Sequence, residues 1–276
     1  MKGDHYVLLP SGVLAFGDGL REQNVDERVK SWQENITNMA FFLILAGSRT
    51  AEIEGISAAG STPVSRRYTA VADAELLLRG PLFPKRWPLP PLPAGVSPAL
   101  ISYVASRFLK IKPTVISAGL LQSPPFSHVS LESPEIGPAR CLSSGNAMEI
   151  TRVKLLLDGG FKIGKKLKKS LLVTECVPGG TSTAFAVLSG LGINVNGLIS
   201  GSYRNPPTEL KKKLVNQGLK AANLKKNPSS VALMAAVGDP FQPIAVGLLM
   251  GAIESGQDVL LGGGCQMLAV LALALN

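Results

Sequence analysis

Aromatic side chains are scarce: nine Phe, four Tyr and two Trp among 276 residues. A protein that binds nucleic acid by stacking bases on aromatic platforms needs more of them, so base stacking is not expected as a binding mode. Histidine is scarcer still, with only His5 and His128. Neither has a second His or a Cys at ligand spacing, which argues against metal catalysis through imidazole. A Ser-His-Asp relay would have to use His128, which lies in a Pro/Ser-rich stretch without a G-x-S-x-G elbow. The three cysteines, Cys141, Cys176 and Cys265, are scattered and form no C-x-x-C pair. Neither a disulfide framework nor a zinc site follows from them, and no metal or organic cofactor is expected. Long apolar runs are missing too. The longest, Phe41–Ala46 and Met267–Leu275, fall well short of the ~20 residues of a membrane span. Residues 1–15 carry Asp4 and Pro10 and lack a basic start followed by an apolar run, so no secretory signal is visible. The expectation is a soluble cytoplasmic globular protein with no membrane partner.

What the chain has in quantity is apolar residues, 46% of the total, with 29 Gly and 20 Pro that follow no period. At roughly 100–200 residues per domain, one large or two modest domains can bury a sizeable core. The net charge is +9, and it is concentrated: residues 152–226 hold 14 Lys/Arg against Asp158, Glu175 and Glu209, and no Lys or Arg follows Lys226. Such a segment needs an anionic partner or solvated helix faces. Solvated faces account for it without a nucleic-acid groove, and a single phosphate needs only one or two of these cations.

Short apolar runs bounded by Gly or Pro read as strands at Phe41–Gly47, Thr114–Gly119, Leu171–Glu175, Val231–Gly238 and Asp258–Gly262. Helical stretches lie between them: Ser97–Lys110, Ala147–Lys169 with a Gly-Gly break, Thr181–Leu191, Thr208–Ala222 and Pro243–Ser255. Continuous rather than alternating strands suit a parallel sheet covered on both faces. The fold class is therefore α/β, a doubly wound, mostly parallel, Rossmann-like sheet with ligands at the carboxyl ends of its strands. Residues 1–39 read as an N-terminal helical arm or cap, and residues 40–276 as the α/β domain. Residues 81–95 hold six prolines and read as a long connection. Lys85, Pro88 and Pro91 also fit a basic proline-spaced ligand for aromatic grooves.

Two glycine-rich motifs come close to nucleotide fingerprints. Gly159-Gly-Phe-Lys-Ile-Gly164-Lys165 has phosphate-loop spacing, but Lys166 stands where a magnesium-binding hydroxyl belongs, and the segment continues a helical pattern. Gly262-Gly263-Gly264 follows a strand and opens a helix but lacks a third glycine at fingerprint spacing, so it reads as a tight turn. The informative stretch is LLVTECVPGGTSTAFAVLSGL, Leu171–Leu191. An apolar strand ends in Glu175, Pro178-Gly179-Gly180 makes a turn, and Thr181-Ser182-Thr183 opens a helix. Free N–H groups at a helix start favour an anion, glycines admit it and the hydroxyls add donors. Gly179, Gly180, Thr181 and Ser182 are thus candidate phosphate ligands, and Glu175 is a candidate catalytic carboxylate beside them.

ECVPGGTSTA resembles the G-E-M-G-I-G-N-T-T-A loop of nicotinate-nucleotide–dimethylbenzimidazole phosphoribosyltransferases, which make the lower-ligand nucleotide of cobalamin. Further segments resemble that family in the same order: EGISAAG (Glu54–Gly60), GNAM (Gly145–Met148), ISGSYRNPPTELKKKL, VGDPFQPIAVGLLMGA and VLLGGGCQMLAVLALA. The resemblance covers residues 40–276 and is best to a divergent branch. This chain departs from the loop in having Gly180 where the family has asparagine, and Val177-Pro178 where it has Gly-Ile.

The resemblance implies phosphoribosyl transfer from nicotinate mononucleotide to a benzimidazole- or purine-like base, with Ser57 and Met148 in the acceptor-base pocket. Aligning Leu210 with the family's leucine puts the phosphate lysine at Lys213. The family carries its catalytic glutamate in a segment after the last helix, and the chain reads as lacking it. That leaves Glu175 or another carboxylate to substitute, or a catalytically impaired nucleotide-binding or assembly protein as the alternative. The implied partners are nicotinate mononucleotide and an aromatic nitrogen base, without nucleic acid, and a homodimer is compatible with the reading.

Overall fold

Ala40–Ala46, AFFLILA, is the central strand β1, buried along nearly its whole length. The computed structural model describes residues 22–87, 89, 97–199, 201, 203 and 205–276. Four more strands, β2 (Thr114–Ala118), β3 (Val129–Ser130), β4 (Leu171–Cys176) and β5 (Val259–Leu261), complete one sheet. Its order is β3-β2-β1-β4-β5, and every adjacent pair is parallel. The chain moves outward from β1 to β3, then returns to the other side of β1 for β4. At this reversal the connections leaving β1 and β4 diverge, opening a crevice at their carboxyl ends.

Both faces of the sheet are covered, because side chains alternate along β1. Phe42, Ile44 and Ala46 join the larger core with Ile116, Val173 and the apolar sides of the later helices. These are α4 (Ile150–Lys165), α5 (Gly180–Gly190), α6 (Thr208–Ala222), α7 (Ser230–Val237), α8 (Phe241–Glu254) and α9 (Cys265–Leu275), which follow α1 (Glu22–Asn35), α2 (Thr69–Arg79) and α3 (Pro98–Phe108) in the chain. Phe41, Leu43 and Leu45 point the other way and pack on Ala70, Val71, Ala74 and Leu77 of α2.

The doubly wound α/β architecture is as the sequence suggests, with two local corrections. The run expected as a strand at Val231–Gly238 is helix α7, capped by Ser229, whose Oγ accepts from Ala232 N. A short, wholly apolar run suits a buried strand and a buried helix alike, and Met234, Ala235 and Ala236 favour the helix. The Gly159-Gly160 pair does not break α4. A Cβ on Gly160 or Gly164 would run into the backbone carbonyls of Ile244 or Leu248, and one on Gly247 or Gly251 into those of Leu157 or Phe161. Gly160 and Gly164 of the phosphate-loop look-alike thus let α4 and α8 pack backbone to backbone. Residues 1–21 of the expected arm, and residues 88 and 90–95 of the proline-rich connection, lie outside the described residues. Among the described residues no helix is long and apolar enough to cross a membrane.

Candidate active site

β4 delivers Glu175 to the crevice and stops one residue later. The next four residues form a type II turn: the N–H of Gly180 donates to the carbonyl of Val177 at 2.8 Å, Pro178 sits at its second position, and Gly179 has φ 78° and ψ −1°. Proline fixes the second position and the positive φ of the third favours glycine. Gly180 begins α5 and leaves no room for a side chain, since an added Cβ would lie 2.8 Å from Nε2 of Gln266. The Gln266 amide therefore occupies space that a side chain at residue 180 would need.

The Glu175 carboxylate folds back over this turn and accepts the N–H of Val177 at 2.8 Å. Burial, reinforced by the nearby Asp239 carboxylate and opposed by the Val177 N–H, pushes its pKa up to about 7. Asp239 is itself fully buried and its carboxyl is held above the usual range by burial. It accepts hydrogen bonds from Thr183 Oγ1, from Gln266 Nε2 (2.7 Å) and from the N–H of Phe241 (3.0 Å). Gln242 donates to Gln266 at 3.0 Å. This polar network ties the VGDP and GCQM segments to the first turn of α5 and so fixes the floor beneath Glu175.

Lys211, on α6, is 2% exposed, and its Nζ donates to Thr181 Oγ1 at 2.9 Å. Burial lowers its pKa, against the opposing effect of the Cys265 thiol. It stands on the same inward face as the buried Leu214, Val215 and Gly218, at helical steps of three, four and seven. Lys213, the phosphate lysine that the resemblance implies, is exposed, points about 200° around the helix from Lys211 and does not line the cleft. The apolar spacing of α6 marks Lys211 as its inward lysine.

Glu175, Val177–Thr181 and Lys211 line one cleft of about 510 Å³, together with Ser57, Asp73, Ser97 and Tyr203. Ser57 stands on the connection leaving β1. Its Oγ accepts from Ala59 N at 3.2 Å, and its carbonyl accepts from Tyr203 Oη at 3.1 Å. The buried Arg66 holds that connection by donating to the carbonyls of Ala51, Ile53, Ser57 and Gly60. No local sequence pattern marks Asp73 of α2, which also lines the cleft. It accepts from Ser97 Oγ at 2.7 Å, and the Cys176 thiol approaches its other oxygen at 3.7 Å.

Two other expected site residues lie elsewhere. Met148 is 2% exposed within the larger core, with its N–H bonded to the carbonyl of Ala235, and does not line the cleft. Ser182 is fully buried in α5 behind the cleft wall. His128 bonds through Nδ1 to the carbonyl of Phe126 at 2.8 Å, a local loop contact. Among the described residues no group of three or more His, Cys, Asp or Glu is placed to hold a metal ion.

No protein-family model matches the sequence. The UPF0284 protein of Prochlorococcus marinus strain MIT 9313 is 56% identical over 267 residues, covering 97% of this chain and 66% of that protein. The UPF0284 protein SYNW1869 of Parasynechococcus marenigrum strain WH8102 is 55% identical over 267 residues, covering 97% and 67%. A third, PMM0439 of Prochlorococcus marinus subsp. pastoris, is 45% identical over 265 residues, covering 96% and 69%. The chain thus spans about two thirds of the length of these relatives. Among solved structures, CobT from Thermus thermophilus superposes with a TM-score of 0.63 at 18% identity, covering 90% of this chain and 69% of that one. A nicotinate-nucleotide-dimethylbenzimidazole phosphoribosyltransferase structure from the same organism gives 0.60 at 17% identity, covering 86% and 64%. The chain belongs to the UPF0284 family and has the fold of nicotinate-nucleotide–dimethylbenzimidazole phosphoribosyltransferases.

Proposed function

We propose that this protein transfers a phosphoribosyl group from nicotinate mononucleotide to a benzimidazole- or purine-like base, the step that makes the lower-ligand nucleotide of cobalamin. One observation carries the reading: a single cleft holds a carboxylate, Glu175, beside a Gly/Thr helix start to which a buried lysine, Lys211, is hydrogen-bonded.

The reaction makes three demands. The 5′-phosphate must be held, and the first turn of α5 with Thr181 and Lys211 offers a positive dipole end, a hydroxyl and a cation. Positive charge that grows on the ribose as the C1′–N bond loosens must be balanced, and Glu175, once ionised, is the carboxylate next to the cradle. The leaving group needs no acid, because the pyridinium nitrogen is already cationic and departs as neutral pyridine nitrogen. Burying Lys211 and Glu175 strengthens both interactions, since each acts through less water.

The test is incubation of the protein with nicotinate mononucleotide and candidate bases, watching for free nicotinate and the new nucleotide. Release that depends on both substrates and is lost in Glu175→Gln supports transfer. Binding of nicotinate mononucleotide without release under any base would favour a nucleotide-binding or assembly role instead.

A further inference from the structure

The cleft extends beyond the anion cradle onto the opposite face of the sheet. Glu175 and Cys176 are consecutive on β4 and point to opposite faces. Cys176 packs with the smaller core, on the side of Phe41 and Leu43. There the cleft passes beneath α2 and α3, with apolar walls from Phe41, Leu43, Ala74 and Leu77. Into this apolar end comes one carboxyl group, Asp73. Ser97 Oγ donates to its Oδ1 at 2.7 Å, and the Cys176 thiol faces Oδ2 at 3.7 Å. The bond to Ser97 also anchors the first turn of α3, because the same hydroxyl accepts from Ala99 N at 3.2 Å. Each carboxylate oxygen has a second lone pair, and Asp73 lines the cavity.

We infer that Asp73 reads the acceptor: its carboxylate accepts the ring N–H of a planar azole seated between the apolar walls, and takes that proton as the azole's other ring nitrogen attacks. An apolar cleft end with a carboxylate set in it favours an aromatic heterocycle that carries an N–H donor. The proton accounting closes. The lone pair of the attacking nitrogen forms the bond to C1′, the C1′–pyridinium bond breaks with its electron pair leaving on nicotinate, and the N–H proton passes to Asp73. Ser97 and Cys176 hold the carboxyl in place, and burial, the main cause, raises its pKa above that of an ordinary aspartate, making it a better base. The chemistry rests on the transferase reading, but recognition of the base can be measured without turnover.

The experiment is calorimetric titration of the full chain with benzimidazole and with 1-methylbenzimidazole, in wild type and in Asp73→Ala, which leaves no acceptor. Benzimidazole should bind the wild type, and either N-methylation or Asp73→Ala should weaken binding about tenfold to a hundredfold, the worth of one charge-assisted hydrogen bond. In Asp73→Ala, methylating the base should cost little more, because the same hydrogen bond has already gone. The inference is overturned if the wild type binds neither base, if it binds both equally, or if methylation costs as much in the variant as in the wild type. Nicotinate release is scored separately. Turnover without discrimination would sink the role of Asp73 and leave transfer standing, whereas discrimination without turnover would do the reverse.

Discussion

Lys211 Nζ and Thr181 Oγ1 lie 2.9 Å apart, joining the middle of the cleft wall to the first turn of α5. An ammonium brought to that spot is worth far more to a phosphate than one on the solvated side of the same helix. At ~4 Å a unit-charge pair contributes ~4 kcal/mol near a protein surface, against ~1 kcal/mol in bulk water. Lys211→Met, which keeps the apolar stem, should weaken nicotinate mononucleotide binding by about one to two orders of magnitude in calorimetry. Lys213→Met should leave it within about twofold. Equal losses from both would mean a diffuse basic face and no anchored phosphate.

Glu175 ties stability to pH. Folded, it holds its proton up to about pH 7, whereas the unfolded chain releases it near 4.5. Between those values the native state binds more protons, so stability contributed by this group falls as pH rises from 4.5 to 7, by about 3 kcal/mol in all. Glu175→Gln keeps an acceptor for the Val177 N–H and loses the titration. It should melt higher than wild type at pH 8 and match it at pH 4. A wild-type advantage at pH 8 would show that the carboxylate is not strained by burial. Activity should move the opposite way: nicotinate release in wild type should rise through pH 7 as Glu175 ionises, and should drop by roughly 10²–10³ in the variant.

Gly179 holds φ at 78°, a conformation that costs a residue with a Cβ roughly 1–2 kcal/mol. A Cβ there would also press on the Ala51 backbone at 3.1–3.2 Å. Gly179→Ala should therefore lower stability by about 1–2 kcal/mol in denaturant titration and weaken nucleotide binding by tilting the turn. Gly192→Ala, at another positive φ with open space around it, separates backbone strain from that contact and should leave nucleotide binding unchanged.

Arg66 donates to four carbonyls of the connection that carries Ser57. Its planar fork reaches several acceptors at once, which a single ammonium cannot do. Arg66→Ala should cost about 3–5 kcal/mol, since it strands buried carbonyls, and Arg66→Lys should recover less than half of that. Hydrogen exchange should show the loss of protection centred on residues 50–60. A loss spread evenly over the molecule would argue against a local clamp.

Much of this molecule is written locally. β1, β2, β4 and β5 are short apolar runs with glycine or proline at their ends, and Pro178-Gly179-Gly180 can hardly be anything other than a tight turn into a helix. Those signals come from backbone preference and near-neighbour spacing, so they survive without knowledge of the fold. They placed the doubly wound sheet and brought Glu175, Gly179, Gly180 and Thr181 to one crevice. Where local signals are degenerate, tertiary packing chose. Val231–Val237 fits a buried strand or a buried helix, and the sheet ends at β5 without it. Gly160 and Gly164 weaken an isolated helix, but the backbone of α8 lies against α4 and needs the space. Lys211, Lys212 and Lys213 are chemically alike; only the side of α6 that meets α5 separates the buried one from the two exposed ones. Asp73 becomes a cleft residue through Ser97, 24 residues on, and Cys176, 103 residues on. No local pattern joins them, because it is the pairing of β1 with β4, and the packing of α2 over that pair, that brings the three side chains together.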